Sequence, residues 1–128
     1  MPVHYSIDAT ENRIHTTCEG PVTPGEVAAH FTQLGADPAF RPALDVLLDL
    51  TACTSAPTSG QLLDVVSQIE SLGPSRPFGT CAVVASQDVL FGMSRVFEVY
   101  ARDAFTSVSV FRTLQEAKSW LAAKRVTK

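Results

Sequence analysis

At 128 residues, with 45% apolar and 18% charged positions and a net charge of −3, the chain is neither a disordered segment nor a polyanion binder. Its length suits a single domain, 1–128, that buries one core without metal or disulfide support. The 10 Lys and Arg are scattered, and only Lys124, Arg125 and Lys128 cluster, at a helix-like end where cations suit the dipole, so nucleic acid is not an expected partner.

Three cysteines, Cys18, Cys53 and Cys81, are odd in number and lack C-x-x-C spacing, which points away from a disulfide framework and from zinc. The amino terminus lacks a basic-then-apolar leader, and no apolar run approaches ~18 residues. The expectation is a cytoplasmic protein without an integral membrane segment. Phosphate-loop and dinucleotide glycine patterns are absent, so no cofactor is expected.

In chain order, Val3 to Asp8 and Arg13 to Cys18 read as a hairpin around Ala9-Thr10-Glu11-Asn12. With Asp8 opposite Arg13, the pairs Ile7/Ile14, Tyr5/Thr16 and Val3/Cys18 share an apolar face, while Ser6/His15 and His4/Thr17 share a wet one. His4 and His15 become diagonal neighbours. Two imidazoles without a nearby carboxylate or thiolate make a poor metal site, and solvated histidines are expected. Next, Thr23-Pro24-Gly25-Glu26 opens a helix with Thr23 as N-cap and Glu26 at N3, a capping box. Val27, Phe31 and Leu34 form its buried stripe, Gly35 with Asp37-Pro38 stops it, and His30 is expected in solvent.

Leu44, Val46, Leu48 and Leu50 then occupy one face of a strand, with Asp45, Leu47 and Asp49 on the other. Because this strand, the hairpin and the last strand each have a more polar side, the helices are expected mainly on one face. The other face is left partly open, as a surface for a partner or a homodimer. Thr51 to Ser59 reads as one long polar loop; Thr58 and Gln61 have capping-box spacing before a stripe of Leu62, Val66 and Ile69 that ends at Gly73-Pro74.

Thr80-Cys81-Ala82-Val83-Val84-Ala85 has the unbroken small and β-branched composition of a strand covered on both faces, the expected central strand. After Ser86-Gln87-Asp88 the period changes, and Val89, Met93, Val96, Phe97, Tyr100 and Ala104 recur as a helical stripe. Ser107 to Phe111 alternates with period two. Thr113-Leu114-Gln115-Glu116 is a third capping box, introducing a helix with Leu114, Ala117, Trp120 and Leu121 on one side and Trp120 as a core anchor. The sum is ββαβαβαβα: a single-domain α/β chain with a five-stranded, mostly parallel sheet in sequential order, its first strand antiparallel at one edge.

Catalytic chemistry is weakly signalled. Cys53 is the only thiol in an expected loop, yet His4, His15 and His30 all precede it on other elements. Asp49 and Asp88 end or follow adjacent strands, where α/β sites gather acids, but a sequential sheet lacks the order reversal that opens a ligand crevice. Gly92, inside the long helix, costs roughly 1 kcal/mol relative to alanine and is read as permitting a close approach of backbone or ligand. Leu90 and Phe91 lie off the helix stripe, and Arg95 can pair with Glu98 one turn away.

Several segments together resemble the SpoIIAA-like family of STAS/Sec14-type domains: Gly20-Pro21-Val22-Thr23, Leu47-Leu48-Asp49-Leu50, Val110-Phe111, Glu116-Ala117, Trp120-Leu121 and, most specifically, Phe91-Gly92-Met93-Ser94-Arg95-Val96-Phe97-Glu98. In the anti-sigma-factor antagonists of the wider STAS group, a D-S-S-G motif lies between the third strand and the next helix, and a partner kinase phosphorylates its second hydroxyl residue. The resemblance places Ser59 at that position, within Pro57-Thr58-Ser59-Gly60, with Pro57 standing where the motif has aspartate.

A phosphate at a helix amino end meets free backbone N–H groups and the positive dipole end, which makes such a switch physically reasonable. The first reading is therefore a non-enzymatic domain that docks a protein partner, with a switch loop of Thr58, Ser59, Gly60 and Asp49. The alternative is a Sec14-like binder of a small apolar molecule or lipid at Phe91, Gly92, Met93 and Phe97. An enzyme of unknown reaction comes third.

Overall fold

The computed structural model describes residues 3–40, 44–71, 78–102 and 105–126; at positions 24, 28, 31, 59, 71, 125 and 126 it describes the backbone alone. The elements are β1 (Val3–Asp8), β2 (Arg13–Gly20), α1 (Pro24–Ala36), β3 (Asp45–Cys53), α2 (Ser59–Ser71), β4 (Thr80–Val84), α3 (Asp88–Tyr100), β5 (Ser107–Phe111) and α4 (Leu114–Val126). The five strands form one sheet in the order β1-β2-β3-β4-β5, with β1 antiparallel to β2 and every later pair parallel.

The hairpin has the expected register, Asp8 opposite Arg13 through Val3 opposite Cys18. Its turn is set locally. The Asp8 carboxylate accepts the N–H groups of Thr10 and Glu11 (2.9 and 3.1 Å), and Asn12 takes the left-handed conformation (φ 56°), which asparagine tolerates better than most residues. His4 pairs with Glu19 (3.3 Å) rather than with His15. Past a bulge between Thr17 and Glu19, β2 continues to Gly20, whose φ of 65° requires glycine where the chain turns away.

α1, α2 and α4 begin where capping chemistry places them, whereas α3 starts after Gln87 without a side-chain cap. Thr23 accepts the Glu26 N–H (3.3 Å) while the Glu26 carboxylate accepts the Thr23 N–H (2.9 Å). Thr58 and Gln61 make the same reciprocal pair (2.9 and 3.2 Å). At α4 the box is altered: the Glu116 carboxylate takes the Thr113 hydroxyl (3.0 Å), and Thr113 accepts the Glu116 N–H (3.3 Å). Strand β3 runs on to Cys53, so the expected polar loop shrinks to 54–58. The Gly73-Pro74 stop and Ala104 lie outside the described residues.

Alternation along the strands sorts the core into two layers. Ile14, Cys81 and Val83 face α1, α2 and α3, meeting Leu34, Leu62, Val66, Ile69 and Phe97. Leu47, Ala82 and Val84 face α4, meeting Ala117 and Leu121, with Phe111, Leu114 and Trp120 around them. Helices thus lie mainly on one face. The other face is open over β1 and β2, where His4 and Ser6 are exposed, and at the end of β3, where Thr51 is exposed, while α4 covers Leu47, Ala82 and Val84. Asp45, assigned to the polar side, is buried beneath this layer and accepts the Thr80 N–H (2.9 Å). The middle strand is β3, not β4. Strand β4 nevertheless is buried at every residue, being the strand that helices cover from both sides.

Three side-chain placements differ from expectation. The buried face of α3 is centred on Leu90, Ser94, Phe97 and Ala101, leaving Val89 66% exposed; apolar residues occur around much of this helix, so periodicity left its phase ambiguous. Trp120 is half-buried at the rim, tilted against Phe111 (5.4 Å) with the Lys124 ammonium over its ring (5.4 Å). His30, expected in solvent, is buried. It stands three residues after Val27 and four before Leu34, hence on the same helix face. Its ring meets Tyr5 edge-on at 5.3 Å.

Burial pushes the His30 pKa down from 6.5 to about 4. Tyr5 faces it from β1, and the Tyr5 hydroxyl donates to Asp37 (2.6 Å), which lowers the carboxyl pKa while the phenol, desolvated and bound to Asp37, is pushed up to about 12.

Two predictions follow from this packing. Leu121→Ala, which truncates a fully buried side chain in the thin layer beneath α4, is expected to cost about 2–5 kcal/mol in urea unfolding, and Trp120→Ala distinctly less. His30 is buried neutral, so the unfolded chain binds the proton first: stability is full above about pH 6.5 and falls as pH drops toward 4. This accounts for on the order of 3 kcal/mol of acid sensitivity. His30→Leu should flatten that limb of the stability profile, measured by urea titration at stepped pH.

Candidate functional site

Between the sheet and its three-helix layer lies a cavity of about 350 Å³. The inner face of the sheet explains it. Thr16 and Cys18 on β2, Val46 on β3, and Cys81 and Val83 on β4 are short side chains that leave space beneath the helices. Leu48 and Leu50 narrow the floor. Val27, His30 and Leu34 of α1, Leu62, Val65 and Ile69 of α2, and Leu90, Met93 and Phe97 of α3 form the roof. The volume is within the range of small-molecule sites.

Polar groups in this wall are few. Thr16, His30 and Ser94 are each more than nine-tenths buried and line the cavity among apolar neighbours. Among the described residues, no Asp, Glu, Lys or Arg lines it. Burial pushes the Cys18 and Cys81 thiols up to about 12, so both are held protonated at neutral pH. Among the described residues no group of three or more His, Cys, Asp or Glu could hold a metal ion.

At the carboxyl ends of β2 and β3 the wall is completed by two loops carrying Val22, Thr23, Ser55, Ala56 and Pro57. One hydroxyl ties them. Ser55 Oγ accepts the Val22 N–H (2.8 Å) and donates to the Val22 carbonyl (3.2 Å), while the Thr54 N–H reaches the Gly20 carbonyl (2.9 Å). Cys53, expected in a loop, is buried at the end of β3, where its Sγ contacts the Ser55 carbonyl at 3.4 Å.

The residues singled out for ligand binding divide. Met93 and Phe97 line the cavity. Phe91 sits outside it, packed against the Cys18, Cys53, Ala85 and Leu90 cluster, with the Arg112 guanidinium 4.0 Å above its ring. Arg112 is held by the Ser86 carbonyl (3.1 Å) and Asp88 (2.8 Å), which gives Asp88 a structural partner. Gly92 is exposed, and a Cβ built there meets nothing within 4 Å, so no close approach requires the glycine. Arg95 pairs with Glu98 at 3.5 Å.

The switch-loop residues divide as well. Thr58 caps α2, and Ser59 and Gly60 open it, the Ser59 side chain lying outside the described residues. Asp49 shares the outward alternation of Leu47, across the sheet from α2, and its carboxylate accepts the Thr51 N–H and hydroxyl (3.0 and 2.7 Å). Pro57 and Gln61, flanking Thr58 to Gly60, line the cavity. Sequence reasoning set an apolar site at the long helix, where Met93 and Phe97 line the cavity, but missed the walls made by the sheet, α1 and α2, and missed the burial of His30. The spacing of Val27, His30 and Leu34 was the available signal for the histidine; nothing local signals a void.

No family model and no curated protein matches the chain. Among solved structures it is similar to an uncharacterised protein of the DUF3478 family from Shewanella loihica PV-4, described as having a SpoIIAA-like fold. The TM-score is 0.63, with 15% identity over 93% of each chain. At that identity the likeness speaks to architecture: the chain has a SpoIIAA-like α/β fold.

Proposed function

We propose that this chain is a non-enzymatic binding domain that holds a small apolar molecule, or a lipid segment of similar size, between its sheet and α1, α2 and α3. The cavity of about 350 Å³ carries this reading, because its wall is mostly apolar and drawn from seven elements as well as two loops. At the ~30 Å³ that a water-sized group occupies in a liquid, the space suits roughly a dozen non-hydrogen atoms. Protonated, buried thiols support binding over catalysis, as does a wall whose described residues carry no Asp, Glu, Lys or Arg.

A second reading, docking of a protein partner switched near Ser59, is favoured by one observation. Ser59 is the first residue of α2, where a phosphate would meet unpaired N–H groups and the positive dipole end.

Native mass spectrometry of gently purified protein is expected to show a bound apolar mass. Val83→Phe, which fills the cavity from β4, should abolish it. A clean spectrum combined with no rise in melting temperature on adding small apolar probes would overturn the reading, since a ligand at a hundred times its Kd stabilises by about 2.7 kcal/mol. For the second reading, Ser59→Asp should weaken capture of one specific partner from native lysate while Ser59→Ala leaves it intact; equal capture by both variants counts against a switch.

A further inference from the structure

Strand β1 is an edge of the sheet, and among the described residues no strand lies beyond it. The phase of its amides follows from its neighbour. The Asp45 N–H reaches the Asn12 carbonyl (3.1 Å), so along β2 the backbone groups of even-numbered residues address β3, and those of Arg13, His15 and Thr17 address β1. Their partners Asp8, Ser6 and His4 point to β2 in turn. The N–H and carbonyl groups of Val3, Tyr5 and Ile7 therefore point away from the sheet, a template for one more strand.

Nothing in β1 blunts that edge. Val3–Asp8 contains no proline or lysine, its pairing with β2 runs without a bulge, and the side chains on the helix side, Val3, Tyr5 and Ile7, are uncharged and packed on core clusters. Phe40, Leu44, Phe78 and Phe105, which flank positions 41–43, 72–77 and 103–104, sit instead toward β4. Phe40 and Phe105 both pack on Phe78 (5.5 and 5.4 Å), and the Leu44 carbonyl accepts the Gly79 N–H (2.9 Å).

The strand is also complementary to itself. When two copies of β1 run antiparallel about Ser6, Ser6 meets the partner's Ser6, Tyr5 meets the partner's Ile7 and His4 meets the partner's Asp8, the last two pairs occurring twice. Tyr5 and Ile7 carry outward amides, so each of their pairs exchanges two hydrogen bonds, with a phenol ring against a branched aliphatic chain on the helix side. On the open side an imidazole meets a carboxylate at both ends. The turn holds that carboxylate in place, because Asp8 accepts the N–H groups of Thr10 and Glu11. Centred on Tyr5 or Ile7 instead, the pairing sets no carboxylate opposite His4, and a shift of one residue sets apolar faces against polar ones.

We propose that the chain forms a two-fold homodimer in which β1 pairs antiparallel with β1 of a second copy about Ser6, joining the two five-stranded sheets into one. The axis stands normal to the sheet. Both three-helix layers and both cavities then lie on the same side, with α1 of each copy beside the axis, since His30 of that helix packs on Tyr5.

An edge pairing of this length is at the small end of stable interfaces, so sedimentation equilibrium of the full chain at about 100 μM should show the mass rising from 13.7 kDa toward twice that value. Ser6→Cys, on the axis, should give a disulfide-linked dimer on mild oxidation. His4→Cys, four residues from its own copy along the strands, should not, nor should the unmodified chain, whose three cysteines are buried. His4→Asp, which sets like charges opposite each other at both ends, should weaken the dimer about five- to tenfold while circular dichroism shows a native fold. In the unmodified chain, hydrogen exchange at the Tyr5 and Ile7 amides should slow as protein concentration rises. A dimer that fails any of these tests uses another surface and overturns the inference. So does a chain that remains monomeric, which leaves the edge to a strand from another protein.

Discussion

The alternation of side chains along β3 is the constraint on which the rest of this molecule depends. Leu47 points to one side and is sealed against Ala117 and Leu121 of α4, while Val46, Leu48 and Leu50 point to the other, under three helices. A period of two leaves no freedom here, because a one-residue slip would send Leu47 into the cavity and Val46 and Leu48 against α4. The same division propagates through β4, where Ala82 and Val84 join the thin layer and Cys81 and Val83 the thick one. The two layers solve different problems. One helix closes tightly over small residues; three helices, bridging a floor of short side chains, enclose space.

That space connects the two functional ideas. The segment 54–58 leaves β3, contributes Ser55, Ala56 and Pro57 to the cavity wall and then delivers the chain to the capped start of α2. Through Ser55 it is tied to Val22 at the end of β2, so the loops that complete the cavity are hydrogen-bonded to each other. Phe91 and Arg112 lie outside this arrangement, where the guanidinium bridges the start of α3 to the end of β5. Their conspicuous sequence is explained by packing. The Phe-Gly-Met segment therefore contributes one cavity residue, Met93, and a rim, rather than a binding motif of its own.

The histidines show how little a residue type says by itself. His4 and His15 are adjacent on a wet face, and His4 finds Glu19, so their environment is solvent and a carboxylate. His30 is one face of a helix away from the same water and is held neutral by burial. The difference is made by helix phase. Asp45 and Asp49, four residues apart on one strand face, diverge similarly: the first is buried and accepts a β4 amide, while the second bonds Thr51 within its own strand.

The sequence by itself determined the elements, their order and the starts of three helices. Capping boxes at Thr23, Thr58 and Thr113, the Asp8-to-Asn12 turn and the period-two strands are local, and local hydrogen bonds and alternation act before any tertiary contact exists. Sequential strand order came with them, because short crossovers leave few topologies open. Tertiary structure alone decided the phase of α3, the burial of His30, the reach of α4 over β3 and β4, and the cavity. Those features depend on how far apart two layers stand and which helix face meets which strand, and distances between segments remote in sequence are written in no single segment.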